Sequence, residues 1–256
     1  MSQQFLQRGD VTLSYERHGA ATSHPALLLT HGFGSNTTMW SPNVAALSAD
    51  RLVLTWDLRG HGRTTAPYEP ELFTPEACVG DMVALLDDSG VEGALIGGLS
   101  LGGYLSLCFA LAHPSRTVGL VLCDTGPGFS DATRREAWNH YALAQAESFE
   151  VSGADAVASR TESLLGPRDP RGLAEAARGI LVQSDDAVIS SLGTIRVPTL
   201  IVVGEDDGPF LAAATYMARK IPDARHEVIA NAAHASNIDQ PDTFNALVGD
   251  FMAHLT

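Results

Sequence analysis

The chain has 256 residues, 45% of them hydrophobic and 18% charged, the balance of a folded globular protein and not of a disordered one. Its 16 basic residues against 30 acidic give a formal net charge of −14, which argues against the basic patches that nucleic acid or an anionic membrane surface rewards. The length suits one α/β domain or a domain carrying an insertion.

Taken in chain order, "VTLSYE" (11–16) alternates apolar and polar residues as a half-buried strand does. "PALLLTHG" (25–32), "RLVLTWDLRGHG" (51–62), "ALIGG" (94–98), "VGLVLCD" (118–124), "PTLIVVG" (198–204) and "HEVIANA" (226–232) are short apolar runs that read as further strands. Helical patterns lie between several of them. "PEACVGDMVALLDDSG" (75–90) puts Ala77, Met82, Leu85 and Leu86 on one face and stops at Gly90, while "GYLSLCFALAHP" (103–114) is apolar nearly all round and stops before Pro114. Strands alternating with helices predict a parallel sheet covered on both faces. Residues 127–192 break the alternation: they contain no strong strand run and read as several helices rich in Ala, Glu and Arg. An insertion there would cover the carboxyl ends of the strands, where such folds bind ligands. The expected division is a core of 1–126 and 193–256 with a helical cap at 127–192.

Three cysteines, Cys78, Cys108 and Cys123, lie in apolar segments without a C-x-x-C spacing, so buried thiols are expected and not a disulfide or zinc framework. No run approaches the ~18 apolar residues of a membrane span, and the first residues lack a basic stretch followed by an apolar one. A cytoplasmic protein acting on or binding a small molecule is expected.

The stretch "IGGLSLGGY" (96–104) carries the chemistry. Ser100 sits in a G-x-S-x-G spacing between a predicted strand and a predicted helix, the context of a nucleophile elbow. Glycines at 98 and 102 make room for a sharp bend, and the helix N-terminus favours negative charge beside the serine. A serine hydroxyl needs a base, and histidine, which titrates near neutrality, is the usual one. Of nine histidines, His234 in "NAAHASN" follows the last strand in a turn of small residues and is the expected base. Its orienting acid is expected in "VVGEDDG" (202–208): Asp207 is preferred, Asp206 is second, and Asp124 at the end of "VGLVLCD" stands outside that group. The oxyanion would take one N–H from Leu101 and one from Phe33, in "THGFG" (30–34). His31, Arg59 and His61 are read as holding their turns. No cluster of His, Cys and acidic residues has ligand spacing, so neither a metal nor an organic cofactor is expected.

HGFG, DLRGHG, GLSLGG, GEDD and AAH, in that order, resemble the α/β-hydrolase superfamily over about residues 10–254. The tail "HASNIDQPDTFN" (234–245) resembles its carboxylesterase and 3-oxoadipate enol-lactonase-like branch. The resemblance implies the α/β-hydrolase fold, Ser100 as nucleophile, His234 as base, Asp207 as acid, and cleavage of a small ester or lactone. Hydrolysis of a carbon–carbon bond, peracid formation and a ligand-receptor role are the alternatives that the same scaffold hosts. In the first helix of the insertion, Trp138 and Arg135 are candidates for substrate contact, the arginine because it pairs bidentately with a carboxylate.

Overall fold

The computed structural model describes residues 2–153 and 169–255; part of the predicted cap, 154–168, lies outside the described residues. Eight strands form one sheet: β1 (Ser2–Arg8), β2 (Val11–His18), β3 (Ala26–Thr30), β4 (Val53–Trp56), β5 (Ala94–Leu99), β6 (Thr117–Cys123), β7 (Thr199–Gly204) and β8 (Ala224–Ile229). Their spatial order is β1-β2-β4-β3-β5-β6-β7-β8. β1 and β2 pair antiparallel, β2 joins β4 antiparallel, and every other neighbour is parallel.

The apolar runs of the sequence become strands buried on both faces. Every residue of β3, β4, β5 and β7 is buried. Successive side chains point to opposite faces, so Leu28 joins one core while Leu27 and Leu29 join the other. The first core is closed by α2 (Pro75–Asp88), α3 (Leu101–Ala112) and α7 (Gly208–Lys220). The second is closed by the short α1 (Val44–Leu47) and by α9 (Pro241–Ala253) through Phe244, Val248 and Phe251. α2 starts where the sequence supplies a cap: the Thr74 hydroxyl accepts the Ala77 N–H, and Pro75 opens the helix.

Between β6 and β7 lie α4 (Ala132–Ser152), α5 (Pro170–Ala176), a π turn at Ala177–Leu181 and α6 (Ala187–Ser191). Ala146, Phe149, Leu173, Ala174 and Ala177 make a small separate core there, with Phe33 packed against it. α8 (Ser236–Asp239) is a single turn ahead of α9.

Two boundaries differ from the sequence reading. β1 was not predicted: "SQQFLQR" alternates weakly, and its Phe5 is exposed on an edge strand. β8 spans 224–229 in place of the predicted 226–232, because the chain turns at Asn231, whose φ is 55°.

Candidate active site

The carboxyl ends of β3, β5, β6, β7 and β8 run into His31, Ser100, Asp124, Glu205 and the 230–234 turn, so the predicted site residues gather at one edge of the sheet. Ser100 occupies the single residue between β5 and α3 with φ 55° and ψ −115°. Such a backbone costs a non-glycine residue about 1–3 kcal/mol and persists only where its surroundings enforce it. Here the Ser100 N–H donates to the Cys123 carbonyl at 2.9 Å, and the Thr125 hydroxyl donates to the Ser100 carbonyl at 2.6 Å. The glycines supply the space. A Cβ on Gly98 would lie 2.4 Å from the Gly102 carbonyl carbon, and one on Gly102 would lie 2.1 Å from the Thr30 oxygen.

His234 and Asp207 are brought together: His234 Nδ1 lies 2.9 Å from Asp207 Oδ2. A carboxylate only accepts, so Nδ1 carries a proton and donates it to Asp207, leaving Nε2 outside this bond. Asp207 is buried and immediately precedes α7, whose N-terminus favours a carboxylate. Its neighbours Glu205 and Asp206 are exposed, and Glu205 accepts the Asn231 N–H. The Phe210 ring stacks on His234 with centroids 4.7 Å apart.

Asp124 is used differently. Fully buried, with φ 45°, it accepts the Gly204 N–H at 2.8 Å, the Ser236 N–H at 3.1 Å and the Ser236 hydroxyl at 2.6 Å. It thereby ties the end of β7 to the turn that carries His234. Burial pushes its carboxyl up to about 6 against these hydrogen bonds, with the nearby Asp207 charge adding to the rise.

The 31–34 loop reaches Ser100 closely: a Cβ on Gly32 would sit 3.4 Å from the Ser100 Cβ. Two buried histidines shape that loop. His31 Nδ1–H donates to the Gly32 carbonyl at 2.7 Å, and its Nε2 accepts the Leu58 N–H at 3.0 Å. His61 Nδ1–H donates to the Arg59 carbonyl at 2.9 Å, and its Nε2 accepts the Gly34 N–H at 3.0 Å. Each ring is thus fixed as one neutral tautomer. Burial lowers His31 to about 4, and burial together with the neighbouring His31 lowers His61 to about 3. With Gly34 bonded to His61 and Ser35 to the Gly32 carbonyl, the Phe33 N–H lies outside both bonds. Leu101 opens α3, so its N–H has no acceptor within the helix.

Beside Ser100 lies a cavity of about 60 Å³, whose walls include Leu101, Tyr104, Thr125, Phe129, Trp138 and Phe210. Trp138 is among the lining residues, with its indole N–H spent on the Leu181 carbonyl at 2.8 Å. Arg135 is not: its guanidinium donates to the Phe129 carbonyl at 2.9 Å. Gln183, Tyr104, Thr125 and Phe210 were not singled out in the sequence, since none belongs to a spaced motif. A larger open crevice by β2 and α1, lined by Gln4, Arg17, His18 and Ser48, holds none of the candidate catalytic side chains. The three cysteines are free thiols. Burial raises Cys78 and Cys123 well above the usual range and pushes Cys108 up to about 12.

A sheet of this order with a strained serine after its fifth strand defines a class, and comparison with known proteins agrees. Residues 27–247 match the family model described as the alpha/beta hydrolase family, and the chain belongs to that family as a hydrolase. Its relatives there include proteins named as enol-lactonases. It is 30% identical to a protein of Azorhizobium caulinodans named putative carbamate hydrolase RutD, over 98% of both chains. It is 29% identical to 3-oxoadipate enol-lactonase 1 of Acinetobacter baylyi, over 94% of this chain and 93% of that one. The crystal structure of the enol-lactonase from Burkholderia xenovorans superposes with a TM-score of 0.84 at 28% identity, over 98% of this chain and all of the other (100%).

Proposed function

We propose that this chain is a serine hydrolase that cleaves a small carboxylic ester or lactone through an acyl-enzyme on Ser100. The observation that carries the reading is the pairing of a strained serine at a helix N-terminus with a His234–Asp207 couple at the same sheet edge. In this reading Ser100 Oγ attacks the substrate carbonyl while His234 Nε2 takes its proton. Asp207 holds the ring with Nε2 available and offsets the charge of the imidazolium. The Phe33 and Leu101 amides receive the oxyanion, and the histidines at 31 and 61 keep the Phe33 loop in place. His234 then protonates the leaving alkoxide, and water activated by the same ring releases the acid.

The described residues of 127–192 act as a cap over a core of 1–126 and 193–256, with Trp138 in the substrate wall. Arg135 braces the Phe129 carbonyl. Among the described residues, none that lines the cavity is charged, which favours an uncharged acyl group over an anionic one, since an unpaired carboxylate is costly to bury. The names of the relatives, an enol-lactonase and a putative carbamate hydrolase, fit attack on an activated carbonyl of this kind.

The test is hydrolysis of ethyl and p-nitrophenyl esters, simple lactones and a carbamate by the native protein and by Ser100→Ala. Turnover reduced about a thousandfold or more in the variant is expected. Turnover that survives the substitution would remove Ser100 from the chemistry.

A further inference from the structure

Among the described residues, one side chain lining the cavity beside Ser100 has a buried oxygen without a partner. Of the cavity's polar lining groups, Ser100 is the proposed nucleophile, the Thr125 hydroxyl is committed to the Ser100 carbonyl, and the Tyr104 hydroxyl bonds the Cys108 thiol. Gln183 also lines the cavity, 8% exposed, and its Oε1 is buried with no hydrogen-bond partner among the described residues. A buried acceptor left unpaired opposes folding, so such a group calls for an explanation.

Its surroundings hold it there. The Gln183 N–H donates to Asn139 Oδ1 at 2.8 Å, and Asn139 Nδ2 donates back to the Gln183 carbonyl at 2.9 Å. Two bonds from α4 therefore fix the backbone beneath the carboxamide. Gly128, at φ +86°, leaves the space that the carboxamide occupies: a Cβ there would lie 2.9 Å from Oε1. The Trp138 N–H, the obvious donor in the same wall, is turned away to the Leu181 carbonyl. The terminal torsion of a glutamine is broad and roughly two-fold, so Oε1 can swing toward the cavity without moving that backbone.

We propose that Gln183 is a specificity-determining residue whose Oε1 accepts a hydrogen bond from the acyl part of the substrate. The substrate class is then a short, uncharged ester or lactone whose acyl group carries an N–H or O–H donor. A carboxylate has no hydrogen for Oε1 to accept, and either a carboxylate or an ammonium would be buried without a counter-charge, because no lining residue among those described is charged. The inference rests on the serine-hydrolase reading above.

Ethyl N-acetylglycinate and ethyl 4-oxopentanoate test it, because their acyl skeletons differ only in an N–H replaced by a CH2. Their kcat/KM values, each corrected for hydroxide-catalysed reactivity, are compared in native protein and in Gln183→Met, with ethyl pentanoate as the donor-free reference. For an ester too slow to follow, its protection of Ser100 against a fluorophosphonate replaces the rate. The native protein is expected to favour the N-acetylglycinate about tenfold or more. Gln183→Met should abolish that preference, bringing the kcat/KM values of the two esters within about twofold of one another. Equal treatment of the two esters by native protein, with ethyl pentanoate still hydrolysed or still protecting Ser100, would overturn the role of Gln183 and leave the serine hydrolase standing. Absence of both turnover and Ser100 labelling would instead overturn the hydrolase reading and this inference with it.

Discussion

Replacing Gly102 with alanine sets two opposing effects against each other at the elbow. Gly102 is the second residue of α3, and alanine in a helix is worth about 1 kcal/mol over glycine. Against this, the new Cβ would stand 2.1 Å from the Thr30 oxygen, 2.6 Å from the Thr30 carbonyl carbon and 2.7 Å from the His31 oxygen. Ordinary contact begins near 3.4 Å, so about 1.3 Å must be found. The obstruction is backbone at the end of β3, a strand paired on one side to β4 and on the other to β5, and it has no rotamer to change. Overpacking costs about 1–3 kcal/mol where side chains can yield, and here the upper end applies. The net expectation is a loss of about 2 kcal/mol, or a Tm lower by roughly 4–8 °C. Esterase activity should fall further than stability, because the displaced segment leads into the Phe33 loop. Gly249→Ala is the control: it lies within α9, with nothing within 4 Å of its Cβ position, and should raise Tm by roughly 2–4 °C. Both variants are followed by thermal melting and by initial rates on one ester. A Gly102→Ala protein that melts with or above the native one and keeps its activity would refute the steric account of the elbow.

Acid should destabilise the fold. His31 and His61 are held neutral, lowered from 6.5 to about 4 and about 3, so below pH 6.5 the unfolded chain binds protons that the fold refuses. Stability is therefore complete above about 6.5 and falls as the pH drops toward 4, by an amount on the order of 5 kcal/mol. Asp124 works in the opposite sense: raised to about 6, it takes up its proton earlier in the fold and regains on the order of 3 kcal/mol between about pH 6 and 4. The two histidines outweigh it, and urea midpoints at pH 7 and 4.5 should show a net loss. Asp207→Asn should lower kcat by about 10³–10⁴-fold with a modest change in KM, whereas Asp206→Asn, exposed and touching the His234 turn only through its backbone, should stay within about twofold of native. Asp124→Ala would strand three buried donors on Gly204 and Ser236 and should cost several times about 1 kcal/mol in urea unfolding. A midpoint unchanged in that variant would contradict the clamp described for Asp124.

The parts of this molecule that were legible in its sequence are those where backbone geometry leaves few residue choices. The bend at Ser100 demands glycine at 98 and 102, because each would otherwise drive a Cβ into main chain, and continuous apolar runs left little doubt about β3 to β7. Among the three acids after β7, position in the turn decides which is buried, and Asp207 is the one beneath His234. β1 was illegible because an edge strand needs no apolar face, and "SQQFLQR" shows almost none. Gln183 was illegible for a different reason. Its burial depends on Asn139, 44 positions away in sequence, and a lone glutamine carries no spacing to read. The acceptor roles of His31 and His61 were likewise hidden, since only the fold shows which N–H each ring meets.

The central claim is that Ser100 is an activated nucleophile, and mass spectrometry of the protein treated with a fluorophosphonate tests it most directly. The account predicts one adduct per chain, mapped to the peptide containing Ser100, absent from Ser100→Ala and formed far more slowly in His234→Ala. A native protein that resists labelling, or one labelled equally well without Ser100 or without His234, would contradict it.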